Sequence, residues 1–134
     1  MLFVSLPVAD LARSRAFFHG IGYRFDDRVC DGDALCLVLG DTHYAMLLRR
    51  EVFAAFTPRT VADATQTSEV LVGVSARTRD TVDTVVDGAL AAGGTEVRAP
   101  VVEGDHLYAR AYADLDGHIW EVMWMDRGRP EAPS

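Results

Sequence analysis

The chain has 134 residues, of which 49% are hydrophobic and 25% charged, and its 20 acidic residues against 13 basic ones give a net charge of -7. That length supports a real core without disulfides or metal, and the apolar fraction is too high for a disordered chain. The acidic balance excludes a general nucleic-acid binder, which needs a basic face to displace counterions from phosphates.

Residues 2–8 (LFVSLPV) form the first predicted strand, with Pro7 near its end, where a missing N–H is tolerated. Asp10 is a helix N-cap, and the helix that follows places Leu11, Ser14, Phe17, Phe18 and Ile21 at helical spacing before Gly20 and Gly22 stop it. Residues 23–28 and 34–39 are the arms of a hairpin around Asp31-Gly32-Asp33, and 43–49 is a fourth strand. The segment 51–67 contains a brief helix (EVFAAF) and then a Thr-, Ala- and Asp-rich stretch with Pro58, which marks it as a connection. Residues 68–76 are a strong strand. The helix over 78–92 puts Val82, Val85, Val86, Ala89 and Leu90 on one face, with Thr78 as its cap and Gly93-Gly94 as its stop. Three further strands are predicted at 95–102, 107–113 and 118–125, the last two separated by the turn Asp114-Leu115-Asp116-Gly117. The tail, 126–134, has no apolar period and is expected to be loose.

The two halves share one order: strand, helix, glycine stop, three strands. This internal repeat makes the chain a single domain over 1–134 with an α+β fold: a first βαβββ module at 1–50, a connection at 51–67, a second module at 68–125 and the tail. Two such modules are expected to form one curved, eight-stranded mixed sheet, with helices outside and a small-molecule cup inside. No run approaches the roughly twenty apolar residues that span a bilayer, and the N-terminus lacks a basic leader. Cys30 and Cys36 are expected to stay thiols. A soluble cytoplasmic protein is the expectation, and the Ala, Val, Arg and Asp content suggests a bacterial source. Open sheet edges point to a homodimer.

Two motifs resemble the vicinal oxygen chelate superfamily, which holds glyoxalase, bleomycin-resistance and extradiol-dioxygenase-like proteins. They are Val8-Ala9-Asp10-Leu11 with Ser14, Phe17 and Phe18, and Asp114-Leu115-Asp116-Gly117-His118-Ile119-Trp120-Glu121. More narrowly, the chain is similar to small bacterial proteins described as predicted lactoylglutathione lyases. The resemblance implies a cup with a divalent metal (Zn, Ni, Mn or Fe) held by His or Glu from the first, fourth, fifth and eighth strands. The corresponding positions here are Phe3, Met46 or Leu47, Glu69 and Glu121. A phenyl ring and a leucine cannot ligate, and a thioether is too soft for these metals. Two carboxylates fall short of the three protein ligands that a controlled site usually needs.

Glu121 is the candidate base or polar anchor, with an ion pair to an arginine such as Arg110 as the plainer alternative. Glu69 is either a solvated strand end or a cup residue beside Glu121, where two carboxylates would suit proton transfer. His106, Tyr108, Arg110 and Tyr112 alternate along one strand, and either lie on a polar outer face or wall the cup as ligand-binding groups. Two functions follow. One is metal-independent binding of a small organic molecule, of the bleomycin-resistance kind. The other is a metal-dependent lyase or isomerase of the lactoylglutathione lyase type, with Glu69, Glu121 and a third group such as His43 or His106 around the metal. Neither reading involves nucleic acid or a membrane.

Overall fold

A computed structural model describes residues 1–128. The predicted tail beyond 128 lies outside the described residues. The first module runs β1 (Leu2–Val8), α1 (Leu11–Ile21), β2 (Arg24–Phe25), β3 (Ala34–Gly40) and β4 (His43–Arg49). A short helix, α2 (Arg50–Ala54), opens the connection. The second module runs β5 (Leu71–Ser75), α3 (Arg79–Ala91), β6 (Thr95–Glu96), β7 (Val101–Glu103), β8 (Leu107–Ala113) and β9 (Ile119–Met125).

Local chemistry sets these bounds. Asp10 caps α1 by accepting from the Arg13 N–H at 3.0 Å, and Gly22 ends it with φ +112°, a left-handed conformation that a glycine adopts freely. Thr78 caps α3 by accepting from the Thr81 N–H. The second strand is shorter than predicted because the Asp26 carboxylate accepts from the Arg28 N–H and nucleates a single 3₁₀ turn at Asp27–Val29. The thiol of Cys30 donates to the Asp26 carbonyl, its sulfur accepts from the Cys36 N–H, and both cysteines are free.

The expected single eight-stranded sheet is instead two sheets. Their orders are β1-β4-β3-β2 and β5-β9-β8-β6, with β7 also paired to β8. In each, the strand before the helix is parallel to the last strand of its module, and the remaining pairs are antiparallel. The extra strand comes from a break in the predicted strand 95–102. Glu96 pairs with Tyr112 and Val101 with Ala109, so the four residues 97–100 stand opposite only Arg110 and Ala111. Pro100 cannot donate to a ladder, and the surplus bulges out.

Each helix lays one face on the sheets and exposes the other, with Arg13, Ala16 and His19 of α1 and Asp80, Thr84 and Asp87 of α3 at the surface. Leu6, Val8, Leu35, Leu37, Ala45 and Leu47 from the first sheet form one core with Val72, Tyr112, Trp120 and Val122 from the second. Phe17 and Phe18 of α1 and Val82, Val86 and Ala89 of α3 belong to the same cluster. The Phe18 ring meets Trp120 edge-on at 5.3 Å between centroids. A Cβ at Gly88 of α3 would lie 3.8 Å from the Ile21 Cα, which shows how closely α1 and α3 pack. Each sheet therefore turns one face to the shared core, while its other, more open face is covered in part: Cys36 in the first sheet and Ala109 and Ala111 in the second are buried.

Candidate functional site

Alternation along β9 sends Trp120 and Val122 into the core and Ile119, Glu121 and Met123 to the open face of the second sheet. Glu121 sits between Gly73 of β5 and Ala111 of β8. The open face around it is small or apolar: Leu71, Gly73, Ala109, Ala111, Ala113, Ile119 and Met123. A half-buried carboxylate there needs a partner. The partner is Arg98, whose Nη2 lies 3.0 Å from Glu121 Oε1, with 35% and 22% of the two side chains exposed. The bulge at 97–100 delivers this guanidinium, which a regular strand would not bring across to β9. Sequence reasoning missed Arg98. The available signal was Pro100 inside a predicted strand, which argues for a bulge and a redirected side chain.

Arg110 does not pair with Glu121. It lies on the core side of β8 and reaches toward α3. Its Nη1 donates to Asp83 Oδ1 and Asp87 Oδ1, both at 2.9 Å, and its Nε and Nη2 donate to the Glu96 carboxylate at 3.1 and 3.0 Å. Tyr108 shares this side and donates its hydroxyl to Asp83 at 2.6 Å. The alternation that sequence left open thus resolves toward the helix for Tyr108, Arg110 and Tyr112. These contacts shift the titrations. The bond to Glu96, and then those to Asp87 and Asp83, hold Arg110 above the usual arginine range. The Tyr108 hydroxyl, and then Arg110, hold Asp83 below the usual carboxylate range. His106 precedes β8, with Nε2 3.8 Å from the Glu103 carboxylate, and its carbonyl accepts from the Asp126 N–H.

Glu69 lies before β5 and is exposed. It lines a cleft of about 390 Å³ between the modules, along with Ser5, Pro7, Phe53, His118 and Ile119. Gly73, the register partner of Glu121, is four residues further on, and Glu69 sits in a bend before β5 begins at Leu71, so it does not stand opposite Glu121. In the first sheet, Phe3 stacks on Tyr44 with centroids 5.2 Å apart. Of the two candidates on β4, Leu47 is fully buried in the core, so Met46 is the open-face residue, in register with Ser5. His43 pairs with Leu2 at the start of β4 and contacts Thr42 Oγ1 through Nδ1.

The Asp114–Gly117 turn ties the modules together. The buried Asp114 carboxylate accepts from the N–H groups of Asp116 and His118 and from Trp120 Nε1, at 2.9–3.0 Å. Burial pushes its pKa up, against the opposing pull of His118 and those donors. The Asp116 carboxylate accepts from the Ala9 N–H at 2.8 Å and faces Arg13. His118 Nε2 lies 2.7 Å from the Pro7 carbonyl, an acceptor that requires the ring to carry its proton there. The segment at Pro7–Arg13 and the turn at Asp114–His118 therefore bind to each other.

A family model described as the glyoxalase/bleomycin resistance protein/dioxygenase superfamily matches residues 1–122. The chain belongs to that superfamily. Among solved structures it is similar to hypothetical protein SA1046 from S. aureus, at 25% identity and TM-score 0.78, over 92% of this chain and 91% of that one. A glyoxalase/bleomycin resistance protein/dioxygenase family enzyme from Burkholderia phytofirmans PsJN matches at 20% identity and TM-score 0.72, over 90% and 94%. The fosfomycin resistance protein FosX from Listeria monocytogenes, a complex with Mn(II) and sulfate, matches at 14% and 0.68, over 95% and 90%. No curated protein matches the chain.

The metal that the superfamily implies does not fit the residues present. Its four positions hold a phenyl ring, a thioether, an exposed carboxylate in the bend before β5 and a carboxylate already neutralised by Arg98. Among the described residues, no three His, Cys, Asp or Glu side chains come together as a metal-binding group. No helix among them is long and apolar enough to cross a membrane.

Proposed function

We propose that this member of the superfamily binds a small organic molecule on the open face of its second sheet, without a metal centre, and that the Arg98–Glu121 pair is the polar anchor. One observation carries the reading: a single ion pair stands on a face otherwise built of small and apolar side chains, where the superfamily would place its metal-ligating glutamate. A few placed polar groups on an apolar floor are what a small-molecule site needs. Tyr108 and Arg110 are engaged beneath this face with α3, and Glu69 lies at the inter-module cleft, so we assign them no ligand contact here.

The site works as a homodimer in this reading. β1 and β5 are edge strands of their sheets, and they present exposed Leu2, Phe3 and Leu71. A second copy covering these edges would remove apolar surface from water and deepen the open face. Two free thiols suit a reducing cytoplasm.

The test is metal content together with turnover. Purified protein is expected to carry no stoichiometric Ni, Zn, Mn or Fe and to leave the methylglyoxal–glutathione hemithioacetal unchanged. Stoichiometric metal that disappears in Glu121→Gln, or turnover that depends on it, would overturn the reading in favour of the lyase. Sedimentation velocity on the wild type and Leu71→Asp checks the dimer.

A further inference from the structure

The chemistry of the bound molecule follows from which atoms of the anchor are unspent. Arg98 meets Glu121 through Nη2 and Oε1. Among the described residues, neither side chain has another hydrogen-bonding or ionic partner. The pair thus keeps guanidinium N–H groups as donors and Oε2 of the carboxylate as an acceptor within one ion pair. Both side chains are largely covered, so a group that leaves these atoms unpaired loses their hydration without replacement.

A ligand carboxylate would satisfy Arg98 but place a like charge against Glu121. A ligand ammonium would satisfy Glu121 but press against Arg98. A neutral planar group with a donor beside an acceptor satisfies both. The floor beside the pair suits the rest of such a molecule. Gly73 is exposed and has no side chain, and Met123, whose Cε would lie 3.5 Å from a Cβ there, continues with Ile119 as an apolar surface.

We propose that the Arg98–Glu121 pair recognises a neutral carboxamide, lactam or ureido group, and that the molecule bound on this face is an uncharged amide-type compound with a flat apolar body. This rests on the open-face site argued above and deepens it.

The test uses three probes that share one ring: benzamide, benzoate and benzylammonium. Their dissociation constants are measured by ligand-observed NMR titration on the full-length protein. Wild type is expected to prefer benzamide by about tenfold over both ions, the scale of one charge-assisted contact on a partly covered site. Glu121→Gln should move the preference to benzoate, and Arg98→Met should move it to benzylammonium. Gly73→Leu, which plugs the floor, should abolish binding of all three. Circular dichroism confirms that each variant is folded. If Gly73→Leu abolishes binding but the probes rank equally, or their ranking ignores the charge variants, the amide inference fails and the open-face site stands. If no probe binds, or Gly73→Leu changes nothing, the open-face site fails and the inference falls with it.

Discussion

Arg110 offers a direct measure of how the second module is held. Its side chain is only 10% exposed, while its partners Asp83, Asp87 and Glu96 are 29–67% exposed. Arg110→Met keeps the apolar stem and removes the charge. Breaking a buried pair typically costs about 3–5 kcal/mol because the orphaned charge stays buried. Here the orphaned carboxylates rehydrate at the surface, so the expected loss at pH 7 is smaller, about 2 kcal/mol. For a chain of this size that is a fall in Tm of roughly 8 °C. Urea and thermal unfolding of both proteins give the two numbers. The pH dependence adds a second check. Asp83 is held below its ordinary value in the folded state, so its contribution is present above pH ~4 and is lost as pH falls through the folded value. Arg110 stays charged throughout, and the gap between wild type and variant should therefore narrow in acid. A variant within about 0.5 kcal/mol of wild type at pH 7, or a gap that widens in acid, would refute the argument.

Other positions give equally definite expectations. Trp120→Phe removes the Nε1 donor from the buried Asp114 carboxylate and should cost about 1–3 kcal/mol in urea unfolding. Leu37→Ala opens a cavity at a fully buried core position, and the same measurement should register a loss of about 2–5 kcal/mol. Gly117 has φ +90°, and a Cβ there would lie 2.7 Å from the Thr65 nitrogen. Gly117→Ala should displace the connection from the turn and speed limited proteolysis within residues 57–70.

The repeat was legible because both modules use the strongest local signals: alternating apolar strands, capped helices and glycine stops. The helix over 78–92 and the last two strands were predicted almost to the residue. The break in 95–102 was less visible, since a bulge depends on register against β8, and a chain read alone has no register. The same limit hid Arg98, which reaches Glu121 only because the strand bulges. Alternation placed Tyr108 and Arg110 on one face, but the acidic residues waiting on α3 and β6 decided which face it was. Glu69 and Glu121 shared a module yet sit at different heights on it, a consequence of the parallel pairing of β5 with β9. The helices were expected outside the cup, and each does expose one face while the other packs on the sheets and, in part, on its counterpart.

The surplus residues between Glu96 and Val101 have an evolutionary consequence. The charge of this face is governed by chain length as well as by residue identity. Removing two residues from 97–100 would zip β6 and β7 into one regular ladder and withdraw the guanidinium, leaving Glu121 in place but bare. A neutral surface would become an anionic one without a single substitution at the glutamate. Insertions and deletions are ordinarily tolerated in loops as silent changes, but in this strand they act as a selector of what the protein can hold.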